Sequence, residues 1–422
     1  MNDLFKYYFK NNFLTQKKYR EIDHLYHLSD EKLFELYNNK FIRIFNKAIN
    51  KSTFYQKLYS EYGIGAHSIK DINDIVKLPV LEKSTIKEHV DDIYIGFDFM
   101  KVKGFTSGTT GTPLTVYRTA TDIAIEQAYI KHYREMHGFN NGQPLLSIRG
   151  VLGKNITHHH FKKANILYIS SPNINENTID MYYELVTRFG PVAIEAYPSY
   201  LHKFCIELEK KGLQLHVKNC FTSSETLMEF QRNKIEQILD TDLHDWYGNT
   251  ERTILLAQNK TKEYYPLPLY SINEFNENNV ITTSLINEQF PLIRYKVEDN
   301  ISTKNNNFKE NILHPKIEKI NGRSGDLLTL KDGSVVGCID NAFKGINNLE
   351  WAQIYQFDDH QPIEVKIVVN THFNKTDEEK LRSHFIRMIG VETDLFFTYA
   401  KKEDLVFSKN GKYQLIIKKR PA

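Results

Sequence analysis

The chain has 422 residues, is 41% apolar and 25% charged, and carries a formal net charge of +3. That length accommodates one large and one small domain, and the near-balanced charge excludes a strong nucleic-acid field. The three cysteines (Cys205, Cys220, Cys338) lie far apart in sequence, which excludes a disulfide framework or a cysteine-rich zinc site and suits a reducing cytosol.

Asp3 and the lack of a long apolar core argue against a signal peptide. No apolar run approaches the about 18–20 residues that span a bilayer, so a cytoplasmic protein is expected. Residues 30–60 show helical apolar spacing (Leu33, Leu36, Phe41, Ile44, Phe45, Ile49), with Asp30 as the expected N-cap. Leu78-Pro79-Val80-Leu81 reads as an extended connector. Strands are expected at 101–105 and 114–117. From about residue 100 to 300, short apolar runs (144–148, 164–169, 192–196, 280–285) alternate with amphipathic helices (120–137, 178–189, 199–210, 226–239). That alternation predicts an α/β fold with a largely parallel sheet. Residues 276–279 and 304–308 are polar and turn-rich.

After about residue 323 strands dominate (327–330, 334–337, 350–357, 363–369, 395–400), with one helix at 376–389 capped by Thr376 and a terminal hairpin of 405–407 with 413–418. This reads as a separate small α+β domain. The expected division is 1–323, a large N-terminal domain, and 324–422, a C-terminal lid.

Residues 104–113 read Gly-Phe-Thr-Ser-Gly-Thr-Thr-Gly-Thr-Pro. Successive N–H groups around Thr106, Ser107, Gly108, Thr109, Thr110 and Gly111 can form a concave anion nest, and the hydroxyls add donors. No Lys follows Gly111, so this is not a Walker loop, and it is not the G-x-G-x-x-G fingerprint of dinucleotide folds. The hydroxyl-rich form resembles the signature loop of the adenylate-forming superfamily, whose members activate carboxylates with ATP and release pyrophosphate.

Further segments match that superfamily in order. Phe221-Thr222-Ser223-Ser224-Glu225-Thr226 lies where open α/β sheets bind ligands; the resemblance places Ser224 and Glu225 against adenine, while Ser224 or Thr226 would also serve as a helix N-cap. Trp246-Tyr247-Gly248-Asn249-Thr250-Glu251 resembles the family's Tyr-Gly-x-Thr-Glu. The implied roles are stacking for Tyr247, a tight turn at Gly248, an α-phosphate contact for Thr250, and Mg²⁺ for Glu251, a hard oxygen ligand. Ile293-Arg294-Tyr295-Lys296-Val297-Glu298-Asp299 resembles Ile-Arg-Tyr-x-x-Gly-Asp, with Asp299 on the ribose hydroxyls and Glu298 replacing the glycine. Its other reading is a surface ion pair of Asp299 with Lys296. Gly322-Arg323-Ser324-Gly325-Asp326 resembles the hinge, with Arg323 on ribose or phosphate and Asp326 as pivot. Ser408-Lys409-Asn410-Gly411-Lys412 resembles the segment carrying the adenylation lysine, here Lys412, whose compact cation suits developing charge at the reacting carboxylate.

Within the superfamily the chain most resembles the phenylacetate–CoA ligase group and its CapK-like capsule-biosynthesis branch. Tyr197-Pro198-Ser199 resembles that group's acyl-pocket segment. The resemblance implies a small carboxylate substrate, ATP and Mg²⁺, with ATP bound between the domains. Coenzyme A is one acceptor. The group's glycine-asparagine segment after the hinge is replaced here by an Asp332-Gly333 hairpin, which leaves a sugar amine or hydroxyl, or a carrier thiol, as alternatives. Adenylyl transfer to a hydroxyl and a degenerate nucleotide-binding scaffold remain other readings.

His158-His159-His160 reads as an exposed loop rather than a metal tract. Asp242, His244 and Asp245 could mimic a sugar-nucleotide metal motif, but fit better on a strand leading to Tyr247. Tyr129, Tyr133, Tyr182, Tyr183, Tyr197 and Tyr200 either line an acyl pocket or fill the core.

Overall fold

The computed structural model describes residues 12–105, 114–149, 152, 156–276, 279–303, 312–323, 328–330, 335–336, 339–343, 345–346, 348–357, 362–390, 394–407 and 413–418. Contacts divide the chain into two compact units, Met1–Asn141 with Trp246–Ile320, and Gly142–Asp245 with Asn321–Ala422.

In the first unit, helices Phe13–Leu25, Asp30–Lys51 and Thr53–Glu61 precede the sheet elements. The N-cap of the second is Ser29, not Asp30, which sits with Glu31 in the first turn and interacts with the helix dipole instead. The expected single helical stretch breaks at Ser52, whose extended backbone ends one helix and whose hydroxyl accepts the Tyr55 N–H of the next. Tyr37, Phe41, Ile44, Phe45 and Ala48, at i, i+3 and i+4 spacing, form the buried face. They join a core with Ile272, Val280 and Tyr295 from the sheet strands and Leu292 from the connection between two of them. Strands Val102–Phe105 and Thr115–Arg118 pair antiparallel, Gly104 opposite Val116. A three-stranded antiparallel sheet is built from Ser271–Asn276, Asn279–Ser284 and Tyr295–Val297. The proline connector docks on it: Leu81 N–H donates to Arg294 O (2.8 Å) and Lys296 N–H donates to Leu81 O (2.9 Å). Helix Ala120–Met136 starts at a Thr119/Asp122 capping box.

In the second unit, strands Ile166–Ser170, Leu145–Arg149, Ala193–Ala196 and Asn219–Ser223 are parallel in that order, with the crossover helices Ile179–Phe189 and Pro198–Lys210 between successive strands. Their apolar residues Leu146, Ile148, Leu167, Ile169, Ile194 and Cys220 form the centre of a core. The parallel pairing expected from sequence is seen in these four strands, and the C-terminal residues add two parallel pairs; the pairing within 271–297 is antiparallel, because connections such as 276–279 are too short for a crossover. His158–His160 lie on an exposed edge strand, antiparallel to Ile166–Ser170, rather than in a loop.

The C-terminal residues form a four-stranded sheet, ordered Leu395–Tyr399, Ile363–Val369, Leu349–Tyr355, Ile416–Ile417. Helix Lys375–Ile389 is capped by Asn374, not Thr376: the asparagine side chain accepts the N–H groups of Thr376 and Asp377. The terminal hairpin reduces to one antiparallel bridge, Phe407 with Tyr413, because Ile416–Ile417 pairs instead with the strand Leu349–Tyr355. Ile206, Met228 and Phe230 share a core with Trp351, Ile354, Val365 and Phe385, which explains why this segment groups with 142–245. Among the described residues no helix is long and apolar enough to cross a membrane.

Candidate functional site

In the first unit, the strand ending at Gly248 delivers the third motif. Gly248 pairs with Leu255, and a Cβ on it would meet a Leu255 methyl at 3.1 Å, so the two strands approach tightly here. Asn249 then closes the turn: its side-chain oxygen accepts the Thr253 N–H (2.9 Å) and its amide donates to the Thr253 hydroxyl (2.8 Å). Thr250 and Glu251 are presented on this braced loop.

The Glu251 carboxylate is buried, and the Tyr295 hydroxyl donates to it at 2.9 Å. Burial raises its pKa above the ordinary glutamate value, against the opposing pull of its own backbone N–H and of Tyr295. The Tyr247 hydroxyl donates to Asp299 at 2.5 Å. Two motifs 52 residues apart in sequence are thereby joined through side chains. Lys296 pairs with Glu82, not with Asp299. Arg294 is structural: its guanidinium makes a two-pronged contact with Glu274 (2.9 and 2.8 Å) and binds the Leu78 carbonyl. Glu298 adopts no left-handed backbone, so the position makes no demand for the family's glycine, and its side chain pairs with Lys83 at 2.6 Å.

Arg118 escaped the sequence reading. Its guanidinium donates to the Thr250 carbonyl. Gly104 makes room for it, since a Cβ there would lie 2.7 Å from the guanidinium carbon. A single arginine in a short strand gives no periodic or motif signal; only the folded guanidinium lying over Gly104 reveals it. Arg252, with φ of 58°, forms a buried ion pair with Glu126 and anchors the far side of the same loop.

In the second unit, Glu225 is the organising group. One carboxylate oxygen accepts the Ser199 N–H (3.0 Å) and the other accepts the Tyr413 N–H (3.0 Å). Pro198 at the first helical position needs no partner, and Glu225 supplies the acceptor and negative charge that the helix start favours. Ser224 takes φ of 71° to turn the chain after strand Asn219–Ser223. The following helix begins at Glu229 with Met228 as cap, so neither Ser224 nor Thr226 caps it. Tyr197 and Tyr200 are neighbours, ring centroids 5.1 Å apart, and the Ser199 hydroxyl is buried with no hydrogen-bond partner among the described residues. Tyr129, Tyr133, Tyr182 and Tyr200 are core residues, whereas Tyr183 and Tyr197 are partly buried. Beside this group Arg149, also missed, pairs with Glu195 at 2.5 Å.

Asp245 accepts the Thr222 hydroxyl (2.5 Å) on the strand Asp242–Gly248, and Asp242 is exposed, so the two do not form a metal site. Thr106, Ser107, Gly108, Thr109, Thr110, Gly111, Asp326 and Lys412 lie outside the described residues, as does the Arg323 side chain.

Residues 327–419 match the model of the CapK C-terminal domain. Protein CapK of Staphylococcus aureus is 24% identical over 407 residues, covering 92% of this chain and 90% of that protein. The chain is a homologue of CapK. Phenylacetate-coenzyme A ligase of Thermus thermophilus is 22% identical over 231 residues, 53% of this chain and 52% of its own length. A solved structure of 2-hydroxyisobutyryl-CoA ligase with an acyl-AMP superposes with a TM-score of 0.69 at 15% identity, covering 90% of this chain and 88% of that one. The fold is therefore that of the adenylate-forming ligases, a mixed α/β architecture with a C-terminal domain.

The donor set suits Mg²⁺ and ATP. Among the described residues no group of three or more His, Cys, Asp or Glu side chains forms a metal cage. Magnesium requires none, because one or two carboxylates with phosphate and water oxygens complete its shell, and Glu251 is a buried carboxylate of that kind.

Proposed function

We propose that this protein activates a small carboxylate with ATP and Mg²⁺, forming an acyl-adenylate and pyrophosphate, and then transfers the acyl group to an acceptor. The observation that carries the reading is the Tyr247–Asp299 hydrogen bond, which unites an aromatic stacking face with a carboxylate suited to ribose hydroxyls. The fold and the ligase homologues support the same chemistry. Bound ATP supplies the electrophilic α-phosphorus and the leaving pyrophosphate. Glu251 would hold Mg²⁺, Thr250 would orient the α-phosphate, and Arg118 would fix the Thr250 backbone. Thr106 to Gly111 would cradle phosphate, with Ser224 against adenine and Arg323 on ribose. Tyr197, Pro198 and Ser199 would line the acyl pocket, where the unpartnered Ser199 hydroxyl offers a donor. Lys412 would stabilise charge at the reacting carboxylate. Glu225 supports this by binding the N–H of Tyr413, the residue that follows Lys412.

The proposed domains are 1–323 and 324–422, the second turning about Asp326. The CapK name suggests a role in surface-polysaccharide biosynthesis, and the acceptor proposed is a sugar amine or hydroxyl, in the cytoplasm; a carrier thiol and coenzyme A are the alternatives to be separated by assay. The test is a panel of carboxylates in a pyrophosphate-release assay with Lys412→Ala as control. Carboxylate-dependent release that Lys412→Ala abolishes is expected. No release with any carboxylate, or full activity in Lys412→Ala, overturns the reading.

A further inference from the structure

The second unit holds a cavity of about 300 Å³ with no assigned role. Its wall is the C-terminal half of helix Pro198–Lys210, and it is closed by the sheet strands Leu349–Tyr355 and Ile363–Val369 and by residues 400–403. Lys203 and Lys402 face each other there. The Lys203 ammonium donates to the Ser171 carbonyl (2.7 Å), and the Lys402 ammonium stands 4.9 Å from the centre of the Trp351 ring. Among the described residues neither lysine has a carboxylate within ion-pair distance.

The remaining charges around the cavity do not fill that gap. Glu207 and Glu350 both pair with Lys210, at 3.4 and 3.8 Å. Glu403 and Lys401 line the rim with opposite charge. The Lys203 ammonium and the Lys402 amine therefore share one partly dry pocket, and protonating Lys402 there sets two like charges side by side unless an anion sits between them. We propose that this cavity binds a phosphate group, held between the Lys203 and Lys402 side chains.

Phosphate fits on charge and geometry. It carries about −1.5 to −2 near neutral pH and offers several acceptor oxygens to donors on opposite sides. A cavity of about 300 Å³ is also large enough for a phosphate carried on a small organic molecule. Burial, and then the neighbouring Lys203, lower the Lys402 pKa to about 6. At pH 7 its amine is mostly neutral in the free protein, and an arriving dianion restores the ammonium. Binding should thus take up a proton. The proposal does not depend on carboxylate activation.

The test is calorimetric titration of the full chain at pH 8, where the phosphates are mostly dianions and bring no proton of their own, in two buffers of different ionisation enthalpy, with sodium phosphate, glycerol 3-phosphate and sodium acetate. One phosphate site with uptake approaching one proton is expected. Lys402→Met and Lys203→Met should weaken it at least tenfold and remove the proton uptake, while Lys402→Arg should restore affinity without uptake. Lys402→Met replaces a buried, mostly neutral amine by an apolar side chain of similar length and should not lower Tm, so misfolding will not obscure the result. Tighter binding of glycerol 3-phosphate assigns the phosphate to an organic ligand, and tighter binding of the inorganic ion assigns it to free phosphate; either supports the site. Unchanged binding in the methionine variants, no proton uptake, or equal affinity for acetate overturns it. Pyrophosphate release measured on Lys402→Met should equal that of the wild type, so failure of the adenylation reading would be seen separately from failure of this site.

Discussion

The two units hold their motif residues by different means. In 246–299 the contacts run from side chain to side chain: Tyr247 to Asp299, and Tyr295 to Glu251. In 198–225 one carboxylate gathers backbone groups, with Glu225 accepting from Ser199 and Tyr413. The first arrangement needs particular side chains at both ends. The second needs only an acceptor at 225 and a chain path that brings two N–H groups to it. Substitutions in the first region should therefore act on chemistry, and those in the second on stability and placement.

The largest effect is expected at Glu251. Glu251→Gln should reduce pyrophosphate release at least about 100-fold, the scale of losing a preorganised charge contact. The same change should stabilise the free protein by about 1 kcal/mol at pH 8, because a buried carboxylate is replaced by a neutral group that still accepts from Tyr295. The pH dependence follows in sign. A carboxyl raised by burial holds its proton more tightly folded than unfolded, so its stabilising contribution is present below the ordinary glutamate value and is lost as pH rises through the raised one. Thermal melts across that window should fall for the wild type more than for Glu251→Gln. Activity should run the other way, its acid limb lying above that of an ordinary glutamate, because a metal ligand must be ionised. Equal melts and equal rates for the two proteins would remove Glu251 from the site.

Next in size is the Tyr247–Asp299 pair. Tyr247→Phe and Asp299→Asn should each raise the KM for ATP about tenfold while changing kcat less, as for contacts made equally in ground and transition states. The double variant should fall well short of the product of the two effects, since the groups bond to each other. Strict additivity would show that the bond does no joint work.

How much of this was legible depends on the kind of contact. Alternating apolar runs and helices located the parallel strands of 145–223, because burial on both faces leaves a continuous apolar run. Tyr247, Glu251 and Asp299 stand out in sequence by their motifs, but the bonds Tyr247–Asp299 and Tyr295–Glu251 that hold them do not. Arg118 and Arg149 were not legible, since a lone arginine in a strand becomes meaningful only when a turn brings Thr250 or Glu195 to it. The caps at Ser29 and Asn374 were misplaced by one or two residues, because adjacent residues (Asp30, Thr376) could serve as well and only backbone angles decide. The Lys203–Lys402 cavity is invisible in sequence for the same reason: the two lysines meet only when residues 400–403 pack on a helix two hundred positions earlier.

Glu225 should show the second region's different character. Glu225→Ala strands the Ser199 and Tyr413 N–H groups and should cost about 1–3 kcal/mol in denaturant melts. Activity should fall with it, through displacement of the segment that precedes Tyr413. Glu225→Gln keeps one acceptor oxygen and should lie between. A melt unchanged in Glu225→Ala would mean that the two N–H groups find other partners readily.

The smallest effect is expected where the chain departs from the superfamily motif it resembles. Glu298→Gly restores the superfamily residue, yet nothing in the backbone asks for it, since Glu298 has no left-handed conformation. What the change removes is one pair with Lys83, whose glutamate side chain is 49% exposed, and such pairs contribute about 0–1 kcal/mol. Glycine also adds freedom to the unfolded chain, which offsets any relief of side-chain ordering. Stability should therefore change by no more than about 1 kcal/mol and pyrophosphate release by less than about twofold. A large gain in activity would have a different meaning: Glu298 would then be holding Asp299 away from its working position, and the wild-type chain would be a weakened form of its family's enzyme. Measuring Glu298→Gly beside Asp299→Asn decides this, because only in that case would the two neighbouring substitutions move the KM for ATP by comparable factors in opposite directions.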